Sequence, residues 1–163
     1  MIKKIYYTWK QVEGACLDLS RQMVQDKWYP DYIVGISRGG LVPANLISQY
    51  LDIPMATLMV SLRDGGIKVS DCGMAEDAYE GKNILVVDDI NDQGSTIEWI
   101  KNDWQSNALP NDPKWDNIWG QNVRFATLTN NLSSKQDVDY TYWEVNKAEE
   151  DCWLVYPWEE FWK

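Results

Sequence analysis

Residues 84–98 read ILVVDDINDQGSTIE: four apolar residues run into three acids within five positions, then Gly, Ser and Thr, then an apolar helical pattern. A strand that is apolar at every position is buried on both faces, which calls for a sheet covered by helices on each side. Asp88 and Asp89 are then expected at the carboxyl end of a strand over 84–87. Asp92-Gln93-Gly94-Ser95-Thr96 is expected to open a helix over 95–104, with Ile97, Ile100 and Trp104 on one face. The free N–H groups of a helix start, with the helix dipole, form an anion cradle, here assisted by two hydroxyls. Paired acids beside an anion cradle suit a sugar phosphate, because carboxylates accept from vicinal hydroxyls while the turn holds the phosphate.

The rest of the chain alternates strand and helix patterns. Thr8 and Gln11 form a capping-box pair before Val12, Cys16, Leu19 and Met23, which recur at helical spacing. Residues 32–37 read as a buried strand. Pro43 marks the first turn of a helix bearing Leu46, Ile47, Tyr50 and Leu51, which ends before Pro54. Residues 55–60, 123–128 and 140–145 are further strand candidates. Residues 61–80 show no clean period and read as a long loop of the kind that forms lids. Residues 105–121 read as a polar, insertion-like segment. Strands alternating with helices predict one α/β domain over 1–163 with a largely parallel sheet, binding its ligand at the carboxyl ends of the strands.

Composition removes several chemistries. The 163 residues contain no histidine, which excludes Ser-His and Cys-His nucleophiles and His-ligated metals. Three cysteines, Cys16, Cys72 and Cys152, have no CxxC spacing and suggest neither a disulfide framework nor zinc. A net charge of −10 opposes non-specific attraction to nucleic acid or anionic lipid. No apolar run reaches the ~18 residues of a membrane span, and the first residues lack the apolar core of a signal peptide. A cytoplasmic protein with no nucleic-acid or membrane partner is the expectation.

The string Asp88-Asp89-Ile90-Asn91-Asp92-Gln93-Gly94-Ser95-Thr96 resembles the phosphoribosyl pyrophosphate (PRPP) signature of type I phosphoribosyltransferases. Ile36-Ser37-Arg38-Gly39-Gly40-Leu41-Val42-Pro43 resembles the pyrophosphate loop of the xanthine-guanine and hypoxanthine members. Tyr7-Thr8-Trp9 looks like that family's amino terminus, and residues 151–159, DCWLVYPWE, resemble its purine-binding segment. The resemblance implies a mainly parallel sheet flanked by helices, with a small base-binding hood from the C-terminal segment. It implies that Asp88 and Asp89 hold the ribose and a Mg²⁺, and that Asp92, Gln93, Gly94, Ser95 and Thr96 hold the 5-phosphate. Ser37, Arg38, Gly39 and Gly40 would hold the pyrophosphate, and Asn130, Trp153, Leu154 and Glu159 the base. Asp92 would be the general base, and the 61–80 loop would close over a 6-oxopurine. A homodimer or homotetramer is implied as well.

Four features depart from the family pattern. Gln93 stands where Thr is usual, Ser61-Leu62 lacks the aromatic partner of a Ser-Tyr lid pair, and Glu159 replaces an Asp. The lysine that normally contacts the 6-oxo group aligns with Asn130, a neutral amide that can donate or accept. Two alternatives therefore stand beside the purine enzyme: a non-catalytic PRPP- or nucleotide-binding regulator, and a phosphoribosyltransferase for another base such as orotate.

Overall fold

In the computed structural model the chain is described over residues 2–62 and 66–163. In chain order it forms β1 (Lys3–Tyr6), α1 (Trp9–Gln25), β2 (Tyr32–Ser37), α2 (Leu41–Leu51), β3 (Met55–Met59), α3 (Cys72–Tyr79), β4 (Ile84–Asn91) and α4 (Ser95–Asn107). A 3₁₀ turn (Pro113–Asn117), β5 (Val123–Asn131), β6 (Tyr140–Val145) and β7 (Cys152–Val155) follow. The sheet runs β3-β2-β4-β5-β6, and every neighbouring pair is parallel. β1 and β7 pair separately, also in parallel, with Lys4 opposite Trp153 and Ile5 opposite Leu154.

Helices cover both faces of the sheet, as the apolar run of β4 requires. Leu85 and Val87 enter one core with Val12, Leu19 and Met23 of α1 and Ile47 of α2. Ile84 and Val86 enter the other with Met74 of α3 and Ile97, Ile100 and Trp104 of α4. α1 starts where its capping box places it: Thr8 Oγ1 accepts from Gln11 N at 3.1 Å, and Gln11 Oε1 accepts from Thr8 N at 2.8 Å.

Several expectations are corrected. Residues 61–80 are not loop throughout: α3 occupies their second half, with Asp71 accepting from Met74 N at its start and Ala75 and Ala78 buried. Its eight residues and internal Gly73 hid the helical period. Before it the chain doubles back, with Ser61 N donating to Ile67 O at 2.9 Å and Val69 N to Met59 O at 3.0 Å. Residues 63–65 of the expected lid lie outside the described residues. The insertion-like segment supplies core, since Trp115 and Ile118 are buried against α4 and β5. β4 continues through Asn91, so Asp88 and Asp89 lie within its last turns of pleat rather than after it. The hood is also not C-terminal alone: half of its two-stranded sheet is β1.

From β2 the chain moves to β3 on one side, and from β4 to β5 on the other. The strand order therefore reverses between β2 and β4, and the turns leaving these two strands open a crevice at their carboxyl ends.

Candidate active site

The first wall is the turn after β2. The Ser37–Arg38 peptide is cis, Gly40 N donates to Ile36 O at 2.8 Å, and Leu41 N donates to Arg38 O at 3.1 Å as α2 begins. This turn lies directly on β4. A Cβ at Gly39 would stand 2.3 Å from Asp89 Oδ2, and one at Gly40 would stand 2.1 Å from Val87 O. Both positions therefore exclude a side chain by contact, and the glycine pair brings backbone up against the acids. Arg38 is exposed at the tip.

The second wall is the turn from β4 into α4. Asp88 Oδ1 accepts from Asp89 N, and Asp89 Oδ1 from Ile90 N, each at 2.8 Å, which fixes the two carboxylates against their own strand. Gly94 has φ 89°, and a Cβ there would also meet Gln136 Cγ at 2.8 Å, so glycine is required twice over. The N-cap residue Gly94 makes no side-chain cap bond, so it leaves the first N–H groups of α4 without a side-chain partner from the cap, and Ser95 in that turn lines the cavity. Glu98 is an acid in the same first turn.

The third wall carries a cavity of about 530 Å³ bounded by Asp92, Gln93, Ser95, Asn131, Lys147 and Trp153. That volume lies within the range of small-molecule sites. Trp153 projects from β7 with 41% of its surface exposed, while Leu154 turns inward to the core. Lys147 Nζ lies 3.2 Å from Asp92 Oδ1 and 5.8 Å from the Trp153 ring centroid. Asn131 Nδ2 donates to Asp92 O at 2.8 Å, and Asn131 Oδ1 accepts from Lys147 N at 3.0 Å. Below the hood, the Tyr156 hydroxyl donates to Asp89 O at 3.0 Å and stands 2.9 Å from Thr129 Oγ1. Burial raises its pKa well above the ordinary tyrosine value, so it remains a neutral tie between hood and acids.

The family model for the phosphoribosyl transferase domain matches residues 3–160. The chain belongs to this family. It is similar to the xanthine-guanine phosphoribosyltransferase of Cereibacter sphaeroides, with 31% identity covering 96% of this chain and 87% of the relative. The hypoxanthine-guanine phosphoribosyltransferase of Schizosaccharomyces pombe is 24% identical over 96% of this chain and 89% of its own. Among solved structures, the purine phosphoribosyltransferase of Pyrococcus horikoshii superposes with a TM-score of 0.69 at 28% identity, covering 97% of this chain and 95% of that one.

Within this phosphoribosyl transferase domain, residues 37–40 and 88–96 meet at the switch point, and Trp153 shares a cavity with Asp92, Gln93 and Ser95. Of the residues expected at the base, Trp153 lines the cavity, whereas Asn130, Leu154 and Glu159 are not among its lining residues. The Asn130 carboxamide oxygen accepts from Asn91 Nδ2 at 2.9 Å in a network with Gln136, and Asn131 lines the cavity instead. Glu159 Oε1 accepts from Tyr156 N at 3.3 Å in the turn after β7. Lys135 and Lys147, both on the cavity wall, were not singled out by any motif. Their placement depends on how the 131–139 and 146–151 loops fold back, which no local pattern announces.

Proposed function

We propose that this phosphoribosyl transferase domain transfers the 5-phosphoribosyl group of PRPP to a 6-oxopurine, xanthine, guanine or hypoxanthine, with release of pyrophosphate. The observation that carries the reading is the single cavity joining the uncapped start of α4 to the exposed face of Trp153, with Asp92 between them. The names of the relatives favour a purine over orotate.

On this reading the N–H groups of the α4 start and the Ser95 and Thr96 hydroxyls bind the 5-phosphate. Asp88 and Asp89 accept from the ribose hydroxyls. Gly39 and Gly40 let backbone N–H groups approach the pyrophosphate, with Arg38 beside them. Trp153 stacks on the purine. As the bond from the ribose C1 to the pyrophosphate oxygen breaks, pyrophosphate leaves with the electron pair. A purine ring nitrogen bonds to C1, and its proton passes to the Asp92 carboxylate. Among the described residues no group of three acidic or thiol side chains could enclose a metal. Two adjacent carboxylates do suit Mg²⁺, which takes one or two protein oxygens and the rest from phosphates. Asp88 and Asp89 would hold it, and it would supply charge neutralisation for the departing pyrophosphate.

The test is pyrophosphate release from PRPP and Mg²⁺ with a panel of bases. Release with a 6-oxopurine is expected. PRPP binding with no base-dependent release would support the regulator, and release with orotate alone would reassign the base.

A further inference from the structure

We propose that Asn91 is a positioning residue for the 5-phosphate: it holds residues 131–136 as a strap against the turn after β4, and the strap sets the peptide planes that present the N–H groups of Gln93 and Gly94. This rests on the reading of that turn as the phosphate site. Asn91 and Asn131 are two of the few polar side chains buried among the described residues, with 3% and 4% of their surface exposed. A buried amide costs free energy unless its donors and acceptors are bonded, and both of these amides are bonded to the turn or to the strap.

The Asn91 amide joins β4 to β5 and to the strap. Nδ2 donates to Asn130 Oδ1 at 2.9 Å and to Gln136 O at 2.7 Å, and Oδ1 accepts from Ser134 Oγ at 3.0 Å. Ser134 Oγ in turn accepts from Gln136 N at 3.3 Å, which closes the strap on itself. Gln136 then crosses the turn. Its Cγ and backbone N stand where a Cβ on Gly94 would meet them at 2.8 and 2.9 Å, and its Oε1 accepts from Lys101 Nζ of α4 at 3.0 Å. The Lys101 ammonium lies 5.8 Å from the centre of the Trp119 ring and 5.9 Å from that of Phe125. The strap is thus fastened before the turn, at its glycine and on the helix after it.

Two carbonyls of the turn face this strap. Asp92 O accepts from Asn131 Nδ2 at 2.8 Å, and Gln93 O accepts from Lys135 N at 3.3 Å. Both peptides are trans, and in a planar trans peptide the N–H points opposite to the C=O, so the N–H groups of Gln93 and Gly94 are turned away from the strap. With their oxygens bonded, these peptide planes resist the rotation that would aim a carbonyl at an anion. Donors held in place before the ligand arrives also bind it without the ordering cost of a free turn. Asn91 touches no ligand in this arrangement and acts through the strap.

The test is calorimetry of ribose 5-phosphate and of pyrophosphate with Mg²⁺, on the full chain, in the parent, Asn91→Leu and Ser134→Ala, with thermal unfolding alongside. Asn91→Leu keeps the volume and removes all three bonds; it should weaken ribose 5-phosphate roughly 10-fold and leave pyrophosphate within about twofold. Ser134→Ala, at a half-buried position, removes the bonds to Asn91 Oδ1 and from Gln136 N and should weaken ribose 5-phosphate about threefold, so it decides the matter if Asn91→Leu does not fold. Unchanged ribose 5-phosphate affinity with a lowered Tm, or equal weakening of both ligands, overturns the proposal and leaves Asn91 a structural residue. A parent that binds no ribose 5-phosphate overturns the phosphate reading of the turn together with the strap, whereas variants that match a binding parent overturn the strap alone.

Discussion

The turns after β2 and β4 present backbone to the crevice, whereas the wall around Trp153 presents long side chains on loops that follow β5 and β6. In the first region Gly39, Gly40 and Gly94 each sit where a Cβ would collide with a neighbour, and the adjoining strands are central in the sheet. In the second, Lys147 and Trp153 are fixed by an ion pair, an amide and a two-stranded hood. The contrast teaches that a wall made of glycine backbone tolerates little sequence change, while a wall made of side chains on loops can vary residue by residue.

The sharpest way to break this comparison is Asp92, which belongs to both regions. Asp92→Asn should lower kcat about 10²- to 10⁴-fold with little change in PRPP affinity, measured by steady-state kinetics and calorimetry. Nearly intact turnover would give the proton to another group. Next in size is Gly39→Ala: its Cβ would push Asp89 aside, and a displacement of that order costs roughly 10²-fold in kcat/KM. On the side-chain wall, Trp153→Ala should cost about 1–3 kcal/mol of purine binding, with PRPP binding unaffected. A loss of PRPP binding as well would mean that the two regions are not separable.

How much of this the sequence disclosed follows the same division. The PRPP-like string and the glycine pair were legible because backbone conformation is written locally, in Gly, Ser, Thr and Asp at fixed spacing. β2, the capping box of α1 and β6 were legible for the same reason. β1 and β7 were not, being four-residue strands whose pairing joins the two ends of the chain. Alignment with the family pattern reaches Asn130, whose amide oxygen accepts from Asn91 Nδ2, while its neighbour Asn131 lines the cavity.

The smallest predicted effect concerns the tie between the regions. Tyr156→Phe keeps the ring but removes the hydroxyl between Asp89 and Thr129, costing about 1 kcal/mol of stability in denaturant unfolding. Because burial raises the folded pKa of Tyr156, its stabilisation is fully present below the unfolded value near 10 and is lost as pH rises above it. The parent should therefore lose stability more steeply than Tyr156→Phe above about pH 10.

The most direct test of the whole arrangement is a crystal structure with guanosine 5′-monophosphate bound. The account predicts the phosphate on the N–H groups of residues 95 and 96 and the guanine stacked on Trp153. A phosphate bound away from the start of α4, or a guanine away from Trp153, would contradict it.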